Sequence, residues 1–294
     1  MRRPSGLGNN LFVLPALLFI VFIMIYPLGY NFYLSFRDVT IGNYLAGDAP
    51  FVGLKNYIEL VKQPAFIHAL VVSALFTSGS LVFQFSIGFA LAVFFSRPFP
   101  GSGIMRAFIM LGWMIPLVVS ANVWRWMLAG DYSVINVALR GLGLIQESPY
   151  WLSQPSTALL GVVTANIWVG VPFNMVLLLA GLQGIPKVLY EAAKVDGCGP
   201  WQQFWHITLP QIRPVALVTL LLGFIYTFKV FDLIFVMTSG GPVNATTVLP
   251  IHVYKLTFDF LRFSDGAAAA SMLLLISLCL TAGYLWLIRR EETA

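Results

Sequence analysis

Six long apolar runs, separated by polar or glycine- and proline-rich stretches, dominate the pattern of this chain. They cover about 11–36, 66–95, 104–128, 156–182, 215–237 and 265–288. A helix of about 20 apolar residues crosses the hydrocarbon of a bilayer, so each run is long enough to be a membrane span. The first run follows Arg2 and Arg3 and is far longer than the roughly 7–15 apolar residues of a cleaved signal peptide. It reads as a retained first span, with kinks expected at Pro15 and Pro27.

The connections have characters of their own. Residues 37–64 are polar, with one short helix expected at 54–61, and 97–106 is a short basic turn. Residues 130–155 form a second long connection, in which 135–144 has the pattern of an amphipathic surface helix. Ser239-Gly240-Gly241-Pro242 marks a tight turn, and a further short helix is expected at 248–260. Within the runs, Ser73, Thr77, Ser78, Ser80, Gln84 and Ser86 recur along the second, where two readings stand: packing through hydrogen bonds to other helices, expected for most, or a substrate path. The third contains Pro116 and ends in Asn122, Trp124, Arg125 and Trp126, residues suited to an interfacial belt. The last begins with Gly266 and four alanines, which permit close helix contact.

Composition agrees with the pattern. Hydrophobic residues make up 59% of the chain and charged ones 10%, against about 25% charged in soluble domains. The net charge of +5 is not a nucleic-acid signature, because no basic patch is interleaved with base-stacking aromatics. Nine basic residues sit in short segments at one set of helix ends, Arg2, Arg3, Arg97, Arg106, Lys187, Lys194, Arg213, Arg289 and Arg290, against seven on the other side, Arg37, Lys55, Lys62, Arg125, Arg140, Lys255 and Arg262. By the positive-inside rule these ends, and both termini, face the cytoplasm. Cys198 and Cys279 make no disulfide framework, and His68, His206 and His252 have no metal-ligand spacing. There is no GxxxxGK[ST] loop, nucleophile elbow or carboxylate pair, so no catalytic set emerges.

The polar stretch 191–214, EAAKVDGCGPWQQFWHITLPQIRP, has an internal order. Ile185-Pro186 starts a helix, Gly197 stops it, and Gly199-Pro200 restarts it. Pro210 and Pro214 are expected to bound the second piece. Two short helices with a bend result, and helices this short need a partner to be stable. Glu191, Ala192, Ala193, Asp196, Gly197, Ile207, Leu209 and Pro210 together resemble the EAA loop of ABC importer permeases. Gln203, Phe204, Thr208 and Pro214 are similar to its carbohydrate-importer branch. Further likeness to maltose/glycerol-3-phosphate-type permeases lies in Asn166-Ile167-Trp168, in 231–234, in 238–242 and in Thr246-Thr247. Two departures stand out: Cys198 where alanine is usual, and Val72-Ser73 where the family often has Asn-Thr.

That resemblance implies an all-α membrane protein of six transmembrane helices, the type I ABC importer permease fold, in the bacterial inner membrane. Residues 1–65 would be an N-terminal span with its external loop, and 66–290 a permease core carrying a coupling loop at 184–214. The chain would be a non-enzymatic subunit that forms half of the pathway for a carbohydrate. The implied partners are a second permease subunit, two ATPase subunits that hold ATP and Mg, and an external solute-binding protein. No cofactor is implied in this chain. The solute would lie near the bilayer midplane, against Asn166, Gly170 and Phe173 from the fourth span and Gly223, Tyr226, Thr227 and Val230 from the fifth.

Two readings stand for Asn166 and Thr227: solute contacts, or hydrogen bonds between packed helices. Two also stand for Lys229 and Asp232, which are three residues apart and within reach on a helix. They are a structural ion pair, or a gate or contact to an anionic solute. The rival class is an ATPase-independent secondary transporter or channel for a small polar solute. It leaves the EAA stretch unexplained, and the internal repeats that would support it are not visible. A membrane scaffold with no substrate is a third reading, and co-purification of an ATPase separates all three.

Overall fold

The computed structural model describes residues 6–44 and 47–292. Arg2 and Arg3, and the side chains of Arg289 and Arg290, lie outside the described residues. Helices α1 (Gly6–Ile20) and α2 (Tyr26–Ser35) are joined by a π-turn, Val21–Ile25. Short helices α3 (Ile41–Tyr44) and α4 (Lys55–Lys62) follow, then the long α5 (Pro64–Ser96). The next are α6 (Ser102–Met114), α7 (Leu117–Met127), α8 (Val134–Gly141) and the long α9 (Pro155–Gln183). A polar connection holds α10 (Lys187–Val195) and α11 (Pro200–Gln203), which runs through a π-turn, Phe204–Thr208, into α12 (Leu209–Phe228). The chain ends with α13 (Asp232–Thr238), α14 (Leu249–Tyr254), a π-turn at Lys255–Asp259, and α15 (Phe263–Glu292). Among the described residues the β structure is one isolated bridge between Arg37 and Phe51.

Among the described residues, five helices are long and apolar enough to cross a membrane: Phe12–Ser35, Pro64–Ser96, Pro155–Gln183, Pro200–Phe228 and Phe263–Trp286. The third apolar run differs from its expectation of one span. It is bent by 97° between α6 and α7, and is a sixth span only as a broken pair. Pro116 is the cause. Its ring disfavours the helical conformation for the residue before it, and Ile115 is extended at φ −69° and ψ 132°.

Other prolines are absorbed without a break. Pro210 and Pro214 do not bound the second piece of the polar stretch, as expected, but lie within a continuous helix from Pro200 to Phe228. Proline has no N–H and crowds the carbonyl four residues before it. For Pro210 that carbonyl is His206, at the centre of the π-turn Phe204–Thr208; for Pro27 it is Ile23, at the centre of Val21–Ile25. The wider turn moves the ladder on by one residue, so Leu209 N–H bonds Phe204 O and Tyr26 N–H bonds Val21 O.

The chain divides into two compact units. The first joins the described residues up to Ile67 with His252–Ile276. Asn31 Nδ2 donates to Ala267 O (3.2 Å) and Ser271 Oγ (2.9 Å), and Ala267, Ala268 and Ala269 are buried there. Asn56 ties the connection by donating to Ser35 O (2.8 Å) and Arg37 O (2.9 Å). Gly266 leaves the space that the Thr257 hydroxyl occupies, and Arg262 pairs with Asp265.

The second unit comprises His68–Ile251 and the residues from Ser277 onward. In it α13 packs along α7, and both α6 and α12 pack along α9. One apolar cluster gathers Phe76, Trp124, Val162, Leu233, Ile234 and Ile251; a second gathers Ala92, Phe95, Met175, Leu178 and Ile212. Trp124, expected at an interfacial belt, is instead buried with its ring edge-on to Trp168, whereas Trp126 is exposed. In the turn after α13, Thr246 and Thr247 donate to Gly241 O and Gly240 O, both at 2.8 Å, which fastens the glycine-rich segment.

His252 lies buried in the first unit against the Phe66 ring. Burial, and then the charges of Lys255 and Arg262, lower its pKa to about 4. An unfolded chain protonates this histidine near the ordinary value, whereas the native one does not, so stability falls as pH drops through that interval. The solubilised protein should therefore melt at a lower temperature near pH 5 than near pH 7.5. A His252→Gln variant should show a smaller difference in the same thermal scans.

Candidate functional site

The polar connection after α9 is a rigid helical hairpin. At the end of α10, Gly197 has φ +81°, a backbone region in which a side chain would be strained. Cys198 N–H donates to Ala193 O (2.8 Å) and Gly197 N–H to Lys194 O (3.1 Å), which closes the helix with a Schellman motif. The restart is tied as well. Gly199 N–H donates to Gln202 Oε1 (2.8 Å), and Gln203 Nε2 donates to Cys198 O (3.0 Å). The Tyr190 and Thr208 hydroxyls bond each other across the two arms at 3.0 Å. Tyr190 and Ile207 also pack on the second apolar cluster, so the hairpin is anchored at its base.

Its outer surface is open. Glu191, Ala192, Asp196, Gly197, Leu209 and Pro210 are exposed, while Ala193 and Ile207 are half-buried. Val195 is 88% and Trp201 70% exposed, large apolar side chains left open on the hairpin.

A cavity of about 320 Å³ opens inside the second unit. The seven solute-path candidates, Asn166, Gly170, Phe173, Gly223, Tyr226, Thr227 and Val230, all line it. Gln84 from α5, Trp113 from α6 and Asn174 from α9 line it too, and the sequence reasoning did not assign these three to it. Asn174 had a signal: it stands one helical turn beyond Gly170 and two beyond Asn166, on the same slowly turning stripe. Phe173 meets Tyr226 edge-on at 5.7 Å and Trp113 at 5.8 Å, which makes an aromatic wall. Gln84 Nε2 donates to Asn166 O at 2.8 Å and occupies the space that Gly170 leaves free.

Two interruptions of helical structure meet at this cavity. Ile115 and Leu117 flank the α6–α7 break, and Lys229, Val230 and Phe231 form the gap between α12 and α13. The second gap corrects the expected fifth span of 215–237, which stops at Phe228. Neither proline nor glycine announces it. It also undoes the expected ion pair. Among the described residues no ion pair joins Lys229 to Asp232; the Lys229 ammonium sits over the Tyr226 ring at 5.3 Å. Each charge instead ends a helix favourably, Lys229 at the C-terminus of α12 and Asp232 in the first turn of α13.

The polar face of α5 serves mixed purposes. Ser73 Oγ accepts from Leu249 N–H (2.7 Å) and Gln84 reaches α9, as packing between elements predicts. Ser78 instead bonds Ala74 O within its own helix, and the Thr77 and Ser80 hydroxyls are buried without a partner.

Residues 84–293 match the family described as binding-protein-dependent transport system inner membrane component. The trehalose/maltose transport system permease protein MalF of Thermococcus litoralis is 35% identical, over 96% of this chain and 94% of its own length. The sulfoquinovosyl glycerol transport system permease protein SmoG of Agrobacterium fabrum is 33% identical, over 99% and 94%. Among solved structures, a bacterial alginate ABC transporter in complex with an alginate pentasaccharide-bound periplasmic protein superimposes with a TM-score of 0.83. The identity is 23%, with 97% of this chain and 94% of that one covered.

The contact of Gly170 with Gln84 is testable. A Gly170→Ala change must displace the Gln84 amide and break its bond to Asn166 O. The expected loss is about 1–3 kcal/mol, the cost of a buried amide left unpaired. Thermal denaturation of the purified protein should show it, and restoring room with Gln84→Ala in the same chain should recover part of the loss.

Proposed function

The chain belongs to the family of binding-protein-dependent transport system inner membrane components, and from that premise we propose that it is the transmembrane subunit of an ATP-driven carbohydrate importer. It is an inner-membrane protein of the type I importer permease fold. It forms half of a translocation pathway with a second permease subunit. Two ATPase subunits hold ATP and Mg on the cytoplasmic side, where both termini of this chain also lie. An external binding protein delivers the solute. The carbohydrate reading draws on relatives whose names include trehalose, maltose and sulfoquinovosyl glycerol and whose lengths this chain matches almost fully.

The observation that carries the coupling reading is the hairpin Lys187–Thr208. It is stiffened internally by the Schellman bonds and the Tyr190–Thr208 contact, while its EAA residues face outward. Such an element transmits a push as a rigid body. Closure of the ATPases on ATP moves the hairpin, and the continuous helix from Pro200 to Phe228 carries that movement to the cavity lined by Gly223, Tyr226 and Thr227. The cavity supplies what a sugar needs: aromatic faces from Phe173 and Tyr226, amide and hydroxyl groups from Asn166 and Thr227, and clearance at Gly170 and Gly223.

A Gly197→Val change tests the coupling. A β-branched residue at φ +81° is strained by about 1–3 kcal/mol and opens the end of α10. The expected result is an ATPase that no longer co-purifies with the permease and uptake that is lost, while the external protein still binds its solute. Normal uptake by this variant would sink the coupling reading.

A further inference from the structure

Helix α8 carries its apolar face on the outside. A helix on a water-washed surface turns its apolar stripe to the core and its polar face outward. The polar residues of α8, Asn136 and Arg140, stand one turn apart on one side, and Val134, Val137, Ala138 and Gly141 occupy the other. Yet Asn136 is fully buried, whereas Val134 is 56% and Val137 53% exposed, and Ala138 and Gly141 are exposed with them. Leu142 and Leu144, at the end of the helix, are 73% and 67% exposed.

The orientation is fixed by bonds. Ser133 Oγ accepts from Asn136 N–H (3.1 Å) and caps the start. At the end Gly143 takes φ +71°, and Leu144 N–H donates to Leu139 O (3.0 Å) and Gly143 N–H to Arg140 O (2.9 Å). Asn136 acts as a peg. Its Nδ2 donates to Gly130 O (2.9 Å) and Pro149 O (3.0 Å), and its Oδ1 accepts from Trp151 Nε1 (2.7 Å). Ile135, Trp151 and Leu152 pack on the first apolar cluster. Turning the outer face of α8 inward would break all three Asn136 bonds.

Position decides what covers this face. Through Asn136, α8 is tied to residues just before α9, and the hairpin follows the far end of α9. Helix α9 has 29 residues, about 43 Å at 1.5 Å per residue, which matches a bilayer with its headgroups. Thus α8 sits at the membrane surface opposite the hairpin. Trp126 at the end of α7 and Tyr132 just before α8 are both exposed, and such residues favour the membrane–water boundary. With Val119 and Val123, Trp126 forms an exposed apolar stripe along α7 that leads toward α8. The polar edge carries hydrogen bonds suited to water: Arg140 donates to Asp131 O (2.8 Å), and the Tyr150 hydroxyl to the Asp131 carboxylate (2.9 Å). A partner that binds and leaves would abandon the apolar face to water between visits, whereas lipid is always present.

We propose that α8 is an interfacial helix, with Val134, Val137 and Leu142 in the headgroup–acyl boundary of the leaflet opposite the hairpin and Arg140 toward water. A face of this kind enters to a depth of about 5–10 Å. On the orientation proposed above, the leaflet is the outer one. Because Asn136 is bonded to the segments that follow α7 and precede α9, the helix moors the outer ends of both to the lipid surface while the hairpin moves at the other.

Single changes Val137→Cys, Leu142→Cys and Gln146→Cys, in a chain carrying Cys198→Ala and Cys279→Ala, are labelled with a nitroxide. Gln146 is exposed beyond the apolar face. The protein, with the subunits that co-purify with it, is placed in phosphatidylethanolamine–phosphatidylglycerol nanodiscs. Spin relaxation is read against oxygen, which concentrates in lipid, and a nickel chelate, which stays in water. Labels at 137 and 142 should favour oxygen several-fold over the chelate, and the label at 146 the chelate. Chelate access at 137 and 142 equal to that at 146 would place the face in water and overturn the proposal. Shielding from both reagents would overturn it too, by placing a protein on the face. Repeating the measurement with and without the external binding protein then tells that partner from a permanent subunit. Both sites are on the surface and either one decides. No solute enters the measurement, so the carbohydrate reading stands or falls separately.

Discussion

Inside a bilayer the backbone has no water to bond, so each peptide group must find a partner within the protein. That constraint explains why helices make up most of the described residues. It also gives weight to the places where helical bonding stops. Both interruptions, at Ile115–Pro116 and at Lys229–Phe231, border the same cavity. Irregular backbone is tolerated at membrane depth where it lines a cavity or is buried in protein. The cavity and the broken helices are therefore one feature seen twice. The breaks bring helix ends to the cavity, and the cavity supplies the polar surroundings that make the breaks affordable.

Prolines show the same constraint resolved in two ways. Before Pro27 and Pro210 a π-turn shifts the bonding ladder by one residue and the helix continues. At Pro116 the preceding residue is extended and the helix turns by 97°. The consequences differ. Continuity through Pro210 and Pro214 makes the cytoplasmic hairpin and the cavity wall parts of a single helix from Pro200 to Phe228. A bend at Pro210 would have left a hinge between them. A stiff connection suits an element that transmits displacement, and it places Tyr226 and Thr227 about five helical turns from the hairpin.

Electrostatics follows the breaks as well. Lys229 and Asp232 would neutralise each other on an unbroken helix. The gap gives each of them a helix terminus instead, and Lys229 the face of Tyr226. Both charges then line a cavity whose wall also includes Asn166 and Asn174.

Much of this was legible along the chain. Apolar run lengths located the spans, because the thickness of hydrocarbon sets the length of a helix that crosses it. The hairpin was legible from Pro186, Gly197 and Pro200, whose backbone preferences are intrinsic to the residue and act locally. The seven cavity-lining positions were reached through motif resemblance rather than through periodicity. What stayed hidden has one physical cause. Whether a proline bends a helix or is absorbed by a π-turn depends on what packs around it, as the contrast of Pro116 with Pro210 demonstrates. The gap at Lys229–Phe231 carries no local breaker at all, and the burial of Trp124 and Asn174 exists only when helices distant in sequence come together. Local backbone chemistry and hydrophobic length are properties of the chain itself, whereas the partners of a side chain are properties of the packed structure, and those partners decided where this protein keeps its polar interior.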